Sequence, residues 1–207
     1  MNDVWTLVHA ERRALIQDLT DLTNAQWEQA SLCAGWAVRD VAAHLVNNAK
    51  ATRWGVVRDM ARARFDFDRQ TAAGVERERG ATPAETLAKL RDVVQRTSTP
   101  PASLDSRLVE EVVHGEDIRV PLGITRAYPI DVTVTSLLYQ ARTSTALGGS
   151  KQRIASLRLH ADDADVTIGD GALVTGPALS LLMVISGRSH ALTELHGPGV
   201  DRLGCPT

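Results

Sequence analysis

The chain has 207 residues, enough for one sizeable core or two small ones, and its 43% hydrophobic composition argues against a disordered chain. Its 23 basic and 25 acidic residues leave a formal charge of -2, which gives no basis for general attraction to nucleic acid or an anionic membrane. There is no uninterrupted apolar run of membrane-spanning length, and the start Met1-Asn-Asp-Val-Trp5 lacks the basic-then-apolar pattern of an export signal. The cysteines Cys33 and Cys205 form neither a disulfide framework nor a CxxC pair, so a cytoplasmic protein is expected.

Val4, Trp5, Val8, Leu15 and Leu19 are spaced for an amphipathic first helix over residues 2–19. After Ser31-Leu-Cys-Ala-Gly-Trp36, a second helix carries His44 beyond its first turn. The arginine- and alanine-rich stretch 58–82 reads as a helix extension followed by a flexible crossover. A third helix is expected near 83–96 and a fourth over 105–119, closed by Pro121-Leu-Gly123. Another helix is predicted from Ile130 to Leu147, stopped by Gly148-Gly149. The pattern then changes: Ile154–His160, Ala164–Gly169 and Ala172–Thr175 read as short strands, Leu179–Ile185 as an apolar helix, and Cys205-Pro-Thr207 as an exposed end. The expected fold is α+β, with a helical body over residues 1–147 and a small α/β domain over 148–207.

In the run Glu110-Glu-Val-Val-His114-Gly-Glu-Asp-Ile-Arg119, a helix places Glu110 and His114 one turn apart on one face, while Glu111 points elsewhere. His44, in Arg39-Asp-Val-Ala-Ala-His44-Leu, sits on another helix, so two antiparallel helices can supply a His, Glu, His set with one coordination position open. Zinc suits such ligands best, although Fe, Ni, Co and Mn take the same groups. The same spacing also fits a surface ion pair, and a histidine in an apolar helix is also compatible with a buried hydrogen-bonded residue. Asp117 or Glu116 can orient a ligand imidazole, Arg119 can balance a carboxylate, and Asp40 and Asn47 lie near His44 in sequence. Gly169-Asp-Gly171 and Gly187-Arg188 are not phosphate-binding glycine motifs, and Ser186 lacks a GxSxG context.

Three segments in order, Ser31 through Leu45, Glu110 through Gly123, and Gly169-Asp-Gly through Gly187-Arg188, resemble the mycothiol-dependent maleylpyruvate isomerase family within the DinB-like metal-binding proteins. The resemblance implies a DinB-like four-helix bundle followed by a small C-terminal α/β domain. It implies that His44, Glu110 and His114 match the family's metal triad and that Arg188 matches a catalytic arginine of the C-terminal domain. The implied cofactors are a divalent metal, zinc first, and mycothiol, with Cys33 a packing residue rather than the nucleophile. The implied reaction is addition of the thiolate to the cis double bond of maleylpyruvate or a related unsaturated acid, rotation about the resulting single bond, and elimination. Thiol transfer to another electrophile, a non-catalytic metal-binding ligand sensor and a metal hydrolase are the alternatives.

Overall fold

The computed structural model describes residues 3–203; Cys205 lies outside them. The chain divides into two units, residues 1–126 and 127–207. The sequence reading placed the divide after residue 147. The helix Ile130–Arg142 instead packs on Ala178–Ile185, within the second unit.

The first unit contains α1 (Val4–Thr20), α2 (Asn24–Trp27), α3 (Val38–Lys50), α4 (Arg53–Arg62), α5 (Phe67–Glu78), α6 (Pro83–Asp92) and α7 (Asp105–Leu122). Four of them close a bundle: α1 packs on α6 and α7, and α3 packs on the same two. The faces that meet are those the 3.6-residue period marks. Leu15 and Leu19 of α1, Val41, Ala42, Leu45, Val46 and Ala49 of α3, Leu87 and Leu90 of α6 and Ile118 of α7 form one buried cluster. Each leucine, valine and isoleucine among them contributes about 1.5–3 kcal/mol by leaving water.

Residues 58–82, expected to extend a helix and then cross over flexibly, carry the end of α4 and, in place of the crossover, the whole of α5. Thr52 and Asp66 accept hydrogen bonds from the backbone N–H groups of Gly55 and Arg69, capping α4 and α5. Between them Arg64 and Phe65 take left-handed backbone angles, φ 58° and 64°, which reverse the chain in a tight turn. The third predicted helix is shorter than expected, ending at Asp92. The fourth runs past its expected end, through Pro121 to Leu122. Pro121 has no N–H for the carbonyl of Asp117, four residues back, and that carbonyl accepts from Leu32 N at 3.1 Å instead. A proline near the helix end thus docks the loop before α3 against α7.

The second unit holds α8 (Ile130–Arg142), a 3-10 turn at Thr145–Leu147 where the sequence reading continued the helix, and β1 (Leu157–Ala161), β2 (Val166–Ile168) and β3 (Ala172–Gly176). It continues with α9 (Ala178–Ile185) and α10 (Val200–Leu203). The sheet order is β2-β1-β3, with β2 antiparallel and β3 parallel to β1. A Cβ at Gly171 would run into the carbonyl of Ser156, so the short step from β2 to β3 needs glycine there. Leu157, Leu159, Val174, Leu181 and Leu182 fill the core of this unit. The fold is α+β. No helix among the described residues is long and apolar enough to cross a membrane.

Candidate functional site

Helix α3 spends its apolar face on the bundle core, which leaves His44 and Asn48, one turn apart, beside α7. On α7, Glu110 and His114 are likewise one turn apart. Glu110 Oε2 lies 3.5 Å from His44 Nε2 and 3.3 Å from His114 Nε2, and the two imidazole rings meet edge to face with centroids 4.7 Å apart. The ligand-capable atoms of this trio all lie within 4.8 Å of one another. The structure therefore brings together the three residues that the spacing singled out.

Neighbouring groups treat the two histidines differently. His114 Nδ1 donates to Asp117 Oδ2 at 2.8 Å, and Asp117 is fully buried. Cys33 Sγ donates to the same carboxylate oxygen at 3.0 Å, so this carboxylate collects two protons' worth of donors beneath the imidazole. Burial alone would lower the pKa of His114, but Asp117, Cys33 and Glu110 together hold it well above the usual histidine value. Burial also acts on His44 and there it prevails, keeping the ring below its usual pKa despite Glu110. No hydrogen-bond partner meets its buried Nδ1 among the described residues. Burial works against ionisation of Glu110, yet hydrogen bonds from His114 and His44 outweigh it and hold the carboxyl well below its normal range.

The loop before α3 supplies the rim. Ser31 pairs with Trp36 through backbone and side chain, at 2.9 and 2.8 Å, and Gly35, at φ 77°, makes the turn between them. This sets the Trp36 ring against His44, with centroids 5.3 Å apart, and brings Cys33 to Asp117. Opposite, the Asn48 amide donates to Glu110 Oε2, and its oxygen accepts from Arg107 Nη1 at 3.3 Å. Asn48 was not among the residues the sequence singled out. It stands one turn beyond His44, but an asparagine at that spacing has no chemistry that marks it in advance.

Of the orienting groups expected around the trio, Asp117 takes that position, whereas Asp40 and Asn47 are engaged elsewhere. Asp40 accepts from the backbone N–H of Ala37 and pairs with Arg79, and Asn47 accepts from Arg77. Arg119 pairs with Asp18 of α1 at 2.7 Å. Arg188 lies in the second unit just past α9, where its Nη1 donates to the carbonyl of Ser186 at 2.5 Å.

Bonds of 2.0–2.1 Å from a tetrahedral divalent ion imply ligand-to-ligand separations of about 3.3 Å. The two carboxylate-to-imidazole distances here, 3.3 and 3.5 Å, match that edge. Cys33, His114 and Asp117 form a second group of ligand-capable atoms within the same span. That group is already satisfied as two donors on one acceptor, and it uses Nδ1 of His114, leaving Nε2 to the first.

Residues 8–119, more than half of the chain, match the family described as the mycothiol maleylpyruvate isomerase N-terminal domain. No curated protein matches the chain. Among solved structures, a crystal structure of a histidine-to-alanine mutant of the mycothiol-dependent maleylpyruvate isomerase superposes with a TM-score of 0.68 at 17% identity, covering 94% of this chain and 91% of that one. A second crystal structure of the mycothiol-dependent maleylpyruvate isomerase gives a TM-score of 0.62 at 18% identity, with the same coverage. At such identity these likenesses establish the shared fold, and the family match is independent of them. The chain belongs to the mycothiol maleylpyruvate isomerase N-terminal domain family.

Proposed function

We propose that this chain is a mycothiol- and divalent-metal-dependent enzyme that isomerises maleylpyruvate or a related unsaturated acid by reversible thiol addition, with His44, Glu110 and His114 as the metal ligands. The observation that carries this reading is the convergence of two imidazole Nε2 atoms on one carboxylate oxygen, each at a tetrahedral-edge distance from it, with all three ligand-capable groups within 4.8 Å. Three protein ligands leave the fourth position to a non-protein group. Two neutral imidazoles and one carboxylate would leave one positive charge on a divalent ion, zinc first among the candidates, and the chemistry it would supply is stabilisation of a thiolate.

The chain's own residues prepare that chemistry. Asp117 holds the Nδ1 proton of His114, which directs Nε2 toward Glu110 and raises its basicity. Asn48 fixes the Glu110 carboxylate, and Trp36 covers His44 on one side. Cys33 is a hydrogen-bond donor to Asp117 that packs against the bundle core, which supports a structural part for it and leaves the nucleophile to the small-molecule thiol. Arg188 enters the reading as the anion-binding group that the family resemblance implies.

The test is product analysis of metal-assayed protein incubated with maleylpyruvate, with and without mycothiol. Fumarylpyruvate formed only when mycothiol is present is the expected result. Accumulation of a stable thiol adduct in place of the trans product would convert the reading to S-transfer, and turnover without thiol would sink both.

The contrast between the histidines makes a separate prediction. At neutral pH His44 is held neutral and Glu110 ionised, while His114 carries a proton that must leave before Nε2 can bind an ion. Zinc binding near pH 7 should therefore release about one proton per ion, with affinity falling as pH drops because proton competition at His114 grows. Calorimetric titration in buffers of different ionisation enthalpy reads the number directly, and release of none would contradict the assigned ligand set.

A further inference from the structure

A cavity of about 720 Å³ opens between the C-terminal end of α3 and the α4–α5 pair, within the first unit. Its size suits a small organic ligand. Lys50, Arg58, Arg62 and Arg77 line it against two carboxylates, Asp59 and Glu78. Lys50 takes up Glu78 at 2.8 Å. The three guanidinium groups share Asp59, at 3.0 Å from Arg58, 3.8 Å from Arg62 and 3.7 Å from Arg77. Each guanidinium presents five N–H donors and one carboxylate has two oxygens, so the cluster holds donors in excess. Arg58 and Arg62 are respectively 60% and 71% exposed, and their forks are open to an incoming anion.

Trp54, Arg58 and Arg62 follow one another at four-residue steps and so share one face of α4. That helix buries none of its residues, and Trp54 is 84% exposed. An indole left in water at the edge of an arginine-lined cavity offers a flat apolar wall for a planar, conjugated ligand. On the α3 side the lining begins at Asn47 and Ala51. Asn47 adjoins Asn48, which binds Glu110, and Ala51 caps the C-terminal end of α3 seven residues after His44, about 10 Å along the axis.

We propose that this cavity binds a small planar acid through its carboxylates, with Arg58 and Arg62 as the recognition residues, at a site separate from the trio. An acid held here lies beside the C-terminal end of α3, two turns beyond His44, which stands at the middle of that helix.

The experiment titrates maleate into the zinc-loaded full-length protein, following tryptophan fluorescence and calorimetry, with Arg58→Gln/Arg62→Gln, Trp54→Phe and His114→Ala variants in parallel. Saturable binding is expected, weakened at least about tenfold in the double arginine variant and retained in His114→Ala. The fluorescence change should disappear in Trp54→Phe. Both arginines are exposed, so the double variant should keep its helicity by circular dichroism and its zinc content. Absence of saturable binding, or equal affinity in the double variant, would overturn the proposal. So would inorganic phosphate binding more tightly than maleate, which contradicts the carboxylate class. Binding lost only in His114→Ala would put the anion at the trio and reject the cavity. If maleate binds as expected but no thiol-dependent product forms, the cavity stands and the proposed function fails.

Discussion

Replacing His114 by alanine should leave a helical protein that neither retains metal nor supports any thiol-dependent rate. The argument starts from the two jobs of that ring. Nε2 faces Glu110 at 3.3 Å and supplies one of three converging atoms, while Nδ1 satisfies the buried Asp117. Loss of an outer hydrogen-bond partner of a metal ligand alone costs roughly 10–100-fold in affinity or activity. Removing the ligand itself should cost more, because Glu110 and His44 would be left to hold the ion with two atoms. The truncation also removes a 2.8 Å hydrogen bond from the buried Asp117 carboxylate, so some loss of stability accompanies the loss of metal. Metal content of the purified variant by plasma emission spectrometry, set beside its circular dichroism, separates the two effects. Full occupancy in a folded variant would remove His114 from the ligand set and with it the chemical reading of the trio.

The pairing of Glu110 with His114 was legible in the sequence because it is local: a four-residue step on a helix dictates a shared face before any tertiary contact is known. That His44 would arrive opposite them rested on the apolar period of α3, whose core residues leave His44 off the buried stripe. What supports the trio was not legible for the same reason reversed. The bond from Cys33 to Asp117 joins residues 84 positions apart. The docking of Leu32 on the Asp117 carbonyl depends on which backbone acceptor Pro121 leaves open. Residues 58–82 read only as a helix extension followed by a crossover: α4 buries nothing, so hydrophobic period has no core face to record there, and α5 buries just Gly74, Val75 and Glu78. Similarly, the apolar pattern of residues 130–142 announced a helix, but not that its partner would be α9 some forty residues later.

The orientation of the trio depends on the phase of α7, and an ion pair on a neighbouring face of that helix should hold the phase at a large energetic stake. Arg12 of α1 is 2% exposed and donates through Nε to Glu111 at 2.7 Å, while its Nη1 reaches the carbonyls of Val93, Val94 and Arg96 at 3.2, 3.4 and 2.8 Å. Glu111 follows Glu110 directly, so anchoring one turns the other toward His44. Arg12→Met should destabilise the protein by about 3–5 kcal/mol, the scale for removing one partner of a buried pair, measured by urea unfolding. Replacing both partners, with Glu111→Leu added, should recover part of that loss because no charge then remains buried. Recovery should be incomplete, since three carbonyls still lack their donor. The pH dependence has a definite sign. Burial raises the carboxyl pKa of Glu111 and Arg12 opposes that rise, so the single variant lifts it further. A carboxyl with a raised pKa in the folded state binds its proton more tightly there than in the unfolded chain. The deficit of Arg12→Met should therefore shrink as pH falls through that raised value toward the ordinary carboxylate range, and persist in full above it. A deficit that does not vary with pH would assign the loss to the carbonyls and to packing, and would remove Glu111 from the account of how α7 is set.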